Sequence, residues 1–188
     1  ISRINGKNLI TVPLKDFRFD LTAMKKRVTS KTKLIFIANP NNPTGTYVTK
    51  KELDSFLSGL PKTAIVVLDE AYDTFIDVTD YPRGVDYLGK KNVITLKTFS
   101  KGFGLAGVRV GYALADERWT PYLERTRQPF NINLVAQAGA LAALDDKAFL
   151  SMTRSKTLSG KYELYDACEK LGLFCVPSVS NFVLIDVQ

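Results

Sequence analysis

The sequence predicts an α/β fold in which a mostly parallel sheet is flanked by helices. Short, uninterrupted apolar runs rich in β-branched residues recur along the chain and alternate with stretches of helical pattern. Strands that are apolar on both faces are typical of a parallel sheet covered on both sides. At 188 residues and 45% hydrophobic content, the chain is large enough to bury such a core.

The sheet is predicted to contain four strands, at 34–38, 64–68, 93–96 and 109–114. A helix is predicted between the first two, from Thr49 to about Ser58. Thr49 and Glu52 have the spacing of a capping box, in which each side chain bonds the backbone of the other residue. Gly59 and Pro61 are expected to end this helix.

Two helices and a strand are predicted in the second half of the chain. Residues 134–144 are rich in alanine and apolar on most sides, which predicts a buried helix. A long amphipathic helix is predicted from Asp145 to about Leu171, where Gly172 ends it. A strand is predicted to follow at 181–187.

The change of pattern after the alanine-rich helix suggests a domain boundary. We expect one large domain over 1–146 and the start of a smaller C-terminal domain over 147–188. Because both ends of the chain fall inside such patterns, we also expect the sequence to be part of a longer polypeptide.

Composition argues against several classes of function. The chain has 26 basic and 19 acidic residues, but the basic residues are dispersed and not interleaved with aromatic ones, so nucleic acid is not an expected partner. Histidine is absent, which excludes histidine-based triads and metal sites from this chain. Cys168 and Cys175 do not have metal-site spacing, and no metal is expected. No apolar stretch approaches the roughly 18 residues of a membrane span, so we expect a cytoplasmic protein.

Unusual polar segments follow the first three predicted strands. The first strand is followed by Asn39–Gly45, the second by Asp69–Tyr72 and the third by Lys101 in a glycine-rich turn, with Arg109 eight residues later. Ligands of open α/β sheets bind beyond the carboxyl ends of the strands. We therefore expect these segments to meet at one site.

Each of these features has a plainer interpretation when it is taken alone. The asparagine-rich segment could be a simple turn, Asp69 a helix cap, Tyr72 a core aromatic and Arg109 half of a surface ion pair. Lys101 could be a surface lysine, although burial at the end of a strand would favour its neutral, nucleophilic amine.

Together, the segments supply an amine, a carboxylate, a phenol, an amide and a guanidinium, and Thr98 and Ser100 add two hydroxyls. This set suits a ligand that carries an aldehyde, a ring nitrogen to be kept protonated, a phenolic oxygen and a phosphate. Pyridoxal 5′-phosphate has these groups and is the expected cofactor.

The segments 39–45, 69–72 and 98–111 resemble the hallmark motifs of the class I/II aminotransferases, the fold-type-I enzymes that use pyridoxal 5′-phosphate. The whole chain resembles the middle of the histidinol-phosphate aminotransferases, and 127–133 with Ala136-Gln137 resembles their substrate-side segment. The resemblance implies the large domain of that fold, a homodimer, and transfer of an amino group between a small amino donor such as histidinol phosphate and 2-oxoglutarate.

The resemblance also implies a role for each residue. Lys101 would form the Schiff base with the cofactor and move a proton at the substrate Cα, and Asp69 would pair with the ring nitrogen. Tyr72 and Asn42 would hydrogen-bond the phenolic oxygen. Three residues would hold the phosphate: Thr98, Ser100 and Arg109.

Three other interpretations remain open at this point. A related decarboxylase that resembles the threonine-phosphate enzyme shares these motifs. In the family, a further phosphate-binding loop and a stacking ring precede this region, and the arginine that binds the substrate carboxylate follows it. The chain could therefore be an inactive fragment, and alone it is expected to bind the cofactor poorly and not to transaminate. A basic binding module is the third interpretation.

Overall fold

The computed structural model describes residues 6–187, so the outermost residues of the two predicted domains, 1–5 and 188, lie outside the described part. The described part contains five α-helices and six strands. In chain order they are α1 (Leu21–Arg27), β1 (Leu34–Ala38), α2 (Lys50–Ser58), β2 (Ile65–Asp69), β3 (Val93–Thr98), β4 (Gly111–Leu114), α3 (Thr120–Thr126), α4 (Leu134–Asp145), α5 (Lys147–Leu171), β5 (Cys175–Val176) and β6 (Leu184–Ile185).

The main sheet has the strand order β1-β2-β3-β4. The first three strands are parallel, and β4 runs antiparallel to β3. Parallel neighbours require crossover connections, and α2 lies in the first of them. The predicted α/β class with a mostly parallel sheet is thus confirmed. Because β1, β2 and β3 point the same way, their carboxyl ends share one edge of the sheet.

The main core lies between this sheet and the pair α1 and α2. Strand residues such as Ile37, Val66 and Leu68 are almost completely buried there against Leu53 and Phe56 of α2. Burial of these apolar side chains is the main force that holds α2 on the sheet. We call this side of the sheet the helix face.

The start of α2 is fixed by the capping box that the sequence predicts. The Thr49 hydroxyl accepts from the Glu52 amide at 3.3 Å, and the Glu52 carboxylate accepts from the Thr49 amide at 2.6 Å. Two backbone donors that a helix start leaves without partners are thereby satisfied. The helix ends before Gly59, as expected.

The prediction that the alanine-rich helix is buried is wrong. In α4, only Ala136 and Ala140 are buried, where they pack against the segment that follows β3. Leu134, Val135 and Leu141 are 81%, 73% and 68% exposed within the described residues. Apolar composition indicates that a helix can be buried, but burial depends on what packs against each face. In α4, only the face that carries Ala136 and Ala140 packs against another segment of the described chain.

The long helix α5 begins and ends close to the predicted positions. The Asp146 side chain caps it by accepting from the Phe149 amide, and Gly172 ends it in the left-handed conformation, with φ of 65°. The strand predicted at 181–187 is reduced to the two residues of β6, which pair antiparallel with β5. The predicted division into domains at 146/147 falls at the junction of α4 and α5 and stays a prediction.

Helix α5 contacts two separate parts of the chain. Near its start, the Phe149 ring lies against Gly104, where an added Cβ would be 3.2 Å from the ring. Twelve residues later, Lys161 donates to the Ser178 carbonyl at 2.9 Å from a buried position. No helix within residues 6–187 is long and apolar enough to cross a membrane.

Candidate active site

The candidate site lies at the edge of the sheet where β1, β2 and β3 end. Residues 39–45, which we call the asparagine loop, follow β1, and Asp69–Tyr72 closes β2. Residues 99–108, which we call the lysine loop, follow β3. The structure therefore brings the three predicted segments to one edge, as parallel strand order requires.

The asparagine loop is held by its own side chains. Asn39 is fully buried and binds the Val48 backbone twice, accepting from its amide at 2.8 Å and donating to its carbonyl at 3.4 Å. Asn41 donates to the Thr44 hydroxyl at 2.8 Å. These bonds satisfy buried polar groups and fix the loop, which leaves Asn42 at the surface of the site.

Asn42, Tyr72 and Lys101 form a contiguous group. The Asn42 side-chain amide donates to the Tyr72 hydroxyl at 2.8 Å. The Lys101 ammonium lies over the Tyr72 ring, 5.3 Å from its centre, which is the geometry of a cation–π contact. Three of the predicted site residues, each from a different segment, are therefore in contact.

The expectation that Lys101 could be buried at the end of its strand is wrong, because its side chain is exposed. The strand β3 ends at Thr98, and the chain has already turned away from the sheet when it reaches position 101. Exposure leaves the Lys101 amine accessible to a ligand that enters from solvent.

Asp69 and Thr98 lie on the same face of the sheet. Asp69 pairs with Leu96 across β2 and β3. Thr98 lies two residues after Leu96, and because side chains alternate along a strand, Thr98 faces the same side of the sheet as Leu96 and Asp69. The Asp69 carboxylate accepts from the Ala71 amide at 3.1 Å, and the Thr98 hydroxyl accepts from the Ser100 amide at 3.1 Å. Both side chains are partly exposed at the site.

Arg109 lies directly after the lysine loop in the left-handed conformation, with φ of 58°. Its guanidinium is exposed and donates to the Ala106 carbonyl at 2.7 Å. In this arrangement Arg109 is engaged with its own turn, and its role toward a phosphate stays a prediction. The same turn explains why β4 starts at Gly111 and not at position 109.

Sequence reasoning missed several neighbours of the site. Phe182 packs edge-on against Tyr72 at 5.0 Å between ring centres. Glu70, Asp73 and Lys97 form an ion cluster directly behind Asp69 and Tyr72. The only signal for this cluster in the sequence is a charged Lys97 near the end of an apolar run, and its partners become visible only once the strand register is known.

Gly45 connects the asparagine loop to the segment after β5, and Gly45→Ala tests that contact. Its φ is 72°, and an added Cβ would overlap the Ser178 hydroxyl and lie 3.0 Å from Ser178 Cα. We expect this variant to lower the free energy of unfolding by about 2–4 kcal/mol, from backbone strain and steric overlap together. Thermal unfolding measures the loss.

Gly89→Ala is the matched control, because Gly89 has φ of 70° but no atom within 4 Å of an added Cβ. It is expected to lose only the backbone part, about 1 kcal/mol. Equal losses in the two variants would contradict a tight Gly45–Ser178 contact.

Comparison with known proteins gives a consistent result along the whole chain. The family model described as "Aminotransferase class I and II" matches residues 1–187. A histidinol-phosphate aminotransferase of Moorella thermoacetica is 46% identical over 189 residues, covering 100% of this chain and 49% of that protein. The chain thus spans about half the length of the curated relatives it matches.

Solved structures agree with this result. The crystal structure of histidinol-phosphate aminotransferase from Sinorhizobium meliloti, in complex with pyridoxal 5′-phosphate, superposes with a TM-score of 0.90 at 34% identity, over 96% of this chain and 50% of that one. L-threonine-O-3-phosphate decarboxylase from Porphyromonas gingivalis superposes with a TM-score of 0.70 at 26% identity, over 80% of this chain and 46% of that one.

Proposed function

The chain belongs to the aminotransferase class I and II family, and from that premise we propose that it forms the cofactor-binding part of a pyridoxal 5′-phosphate-dependent aminotransferase. The observation that carries this proposal is the contact of Asn42, Tyr72 and Lys101 beside Asp69 at the carboxyl edge of the sheet. The finer proposal is transfer of an amino group between histidinol phosphate and 2-oxoglutarate.

The side chains at the site fit the groups of the cofactor. Lys101 offers an accessible amine for the aldehyde, and Asp69 a carboxylate for the ring nitrogen. The Asn42–Tyr72 pair offers polar hydrogens for the phenolic oxygen. The Thr98 hydroxyl already accepts from the Ser100 amide, so its own proton can be donated to a phosphate oxygen.

When bound, pyridoxal 5′-phosphate supplies an aldehyde that takes up an amino group and a ring that withdraws electrons from the substrate Cα. Asp69 favours the protonated ring nitrogen through a charge-assisted hydrogen bond. Lys101 would hold the cofactor through its amine, and the same amine, when free, would accept a proton from the substrate Cα and return it to the cofactor side. Tyr72 and Asn42 stabilise negative charge on the phenolic oxygen.

The proposed substrate is supported by relatives named as histidinol-phosphate aminotransferases at 46% identity. The related decarboxylase remains the second candidate, because a decarboxylase structure superposes on 80% of the chain. Its TM-score of 0.70, against 0.90 for the Sinorhizobium protein, favours the aminotransferase. A homodimer and a cytoplasmic location remain predictions, and light scattering of the full-length gene product would test the former.

The proposal is tested by mapping the cofactor on the full-length gene product. We expect added pyridoxal 5′-phosphate to give a visible absorption band and, after borohydride reduction, a pyridoxyl adduct on Lys101 in peptide mass mapping. Formation of glutamate from histidinol phosphate and 2-oxoglutarate would support the substrate, whereas release of carbon dioxide from an amino-acid phosphate would favour the decarboxylase. No adduct, or adducts spread over surface lysines, would overturn the assignment.

Tyr72→Phe removes the hydroxyl that Asn42 contacts. Less stabilisation of the anionic phenolic oxygen makes the bound cofactor harder to deprotonate. We therefore expect the pH midpoint of its absorbance change to rise by about one to two units, the equivalent of one lost charge-assisted hydrogen bond. Tyr162→Phe, at an exposed tyrosine of α5, is the control and should leave the midpoint in place. An unmoved midpoint in Tyr72→Phe would argue against its contact with this oxygen.

A further inference from the structure

The strand register separates the polar residues at the end of β2 and β3 into two faces. Asp69 and Thr98 face the candidate site. Because side chains alternate along a strand, Glu70 and Lys97 lie on the opposite, helix face. The Glu70 amide still donates to the Leu96 carbonyl at 2.9 Å, so strand pairing continues through this point.

On the helix face, Glu70 is completely buried and both of its oxygens are engaged. One oxygen accepts from the Gly84 amide at 2.6 Å, and the other lies 2.7 Å from the Lys97 ammonium as an ion pair. Lys97 also donates to the Asp73 carboxylate at 2.5 Å. We call Glu70, Asp73 and Lys97 the back-face cluster.

The back-face cluster brackets Tyr72. The Asp73 amide donates to the Glu70 carbonyl at 3.1 Å, which closes a tight turn around Ala71 and Tyr72. The two carboxylates at the ends of this turn are tied to one ammonium on the neighbouring strand. Ala71 in turn donates to the Asp69 carboxylate at 3.1 Å. The cluster therefore fixes from behind the segment that presents Asp69 and Tyr72 to the site.

A buried ion cluster is by itself weak evidence of stabilisation. Burial raises the pKa of the Glu70 carboxyl, and the attraction of Lys97 offsets this rise only in part. Burial acts to lower the pKa of Lys97, but Asp73 and Glu70 outweigh it and raise that pKa, so Lys97 stays charged. Buried ion pairs of this kind can often be replaced by uncharged groups of similar shape without loss of stability.

We propose that the back-face cluster is a positioning device, in which Glu70, Asp73 and Lys97 hold Asp69 and Tyr72 at fixed places on the cofactor face. The inference rests on the proposed function for its catalytic consequence. The restraint of the segment Asp69–Tyr72 by the cluster does not depend on the proposed function, because it is expected in the cofactor-free protein as well.

The test, in the full-length gene product, compares a variant that lacks only the Lys97 cation with one in which the buried Glu70–Lys97 pair is replaced by uncharged residues. Lys97→Met leaves the buried Glu70 carboxylate without its cation and should lower Tm. Glu70→Gln combined with Lys97→Met removes both charges of the buried pair while keeping similar shape, and the glutamine oxygen can still accept from Gly84. The Asp73 carboxylate also loses its cation, but its side chain is 25% exposed and can be solvated by water. The double variant should therefore recover most of the Tm. Lys62→Met, at an exposed lysine, is the control and should match the wild type.

Two further readouts distinguish positioning from stability. In the cofactor-free double variant, amide hydrogen exchange at Ala71–Asp73 should accelerate about tenfold or more relative to β2. In the presence of cofactor, kcat should fall on the order of 10- to 100-fold, with a smaller change in KM, because small displacements of reacting groups are costly. Wild-type exchange and wild-type kcat in the double variant would overturn the proposal, as would a Tm no better than that of Lys97→Met.

The failure of this inference can be told apart from a failure of the proposed function. If the wild type forms no Lys101 adduct, the proposed function fails, and the exchange measurement on cofactor-free protein still decides whether the cluster restrains the segment. If the wild type forms the adduct and the double variant behaves identically, the positioning role alone is wrong.

Discussion

Lys101→Ala is expected to reduce kcat of the full-length gene product by at least about 10²–10⁴-fold, the contribution of a positioned proton-transfer group. The loss should exceed this range if the covalent hold on the cofactor also matters. In the structure, the Lys101 ammonium is exposed above the Tyr72 ring, so its removal deletes a reactive group and little packing. Single-turnover kinetics with histidinol phosphate measures the loss of rate, and Tm measures any loss of packing.

Two controls accompany Lys101→Ala. Lys101→Arg keeps a positive charge over the ring but lacks the nucleophilic amine, so it should be as inactive as the alanine variant. Lys62→Ala removes an exposed lysine and should keep the wild-type rate. Near-normal turnover in Lys101→Ala would contradict the assignment, and recovery of activity by Lys101→Arg would reduce the role of Lys101 to its charge.

Asp69→Asn is expected to lower kcat by about 100-fold or more while weakening cofactor binding much less. The physical reason is that a neutral amide no longer favours the protonated ring nitrogen, so electron withdrawal from the substrate is reduced. The amide is nearly the same size as the carboxylate and can still accept from Ala71. Steady-state kinetics and a cofactor titration on the same preparation separate the two effects.

Asp86→Asn is the control for this substitution. Asp86 is exposed in the short 3₁₀ helix Gly84–Tyr87 and is not one of the predicted site residues. Its kcat and cofactor affinity should equal those of the wild type. If Asp69→Asn retained full kcat, the partner of the ring nitrogen would have to lie elsewhere. If the loss of rate disappeared when the cofactor was saturating, Asp69 would act in binding alone.

Local signals in the sequence were sufficient for much of the fold. Thr49 and Glu52 predict the start of α2 because a capping box depends only on neighbouring residues. The first strand is predicted with its observed bounds, since β1 is a continuous apolar run before a loop rich in turn formers. The meeting of Asn42 with Tyr72 follows from strand order, which alternation of strands and helices already implies.

Features that depend on distant parts of the chain were not predictable in this way. The exposure of Leu134 and Leu141 on α4 is set by which surfaces pack there, and composition carries no information about that. The pairing of Lys97 with Glu70 requires the register of β3 against β2.

The helix α1 was not predicted for a different reason, which is that it is short. Its local signal is present, because Asp20 caps it by accepting from the Ala23 amide.

Helix α5 has a mechanical consequence. Its 25 residues form a rod about 37 Å long at 1.5 Å per residue. Phe149, near one end, lies beside Gly104 in the lysine loop, and Lys161 further along donates to Ser178, which lies beside Gly45 in the asparagine loop. One stiff helix therefore contacts the lysine loop directly and the asparagine loop through Ser178, so the positions of the two loops are tied to a common support.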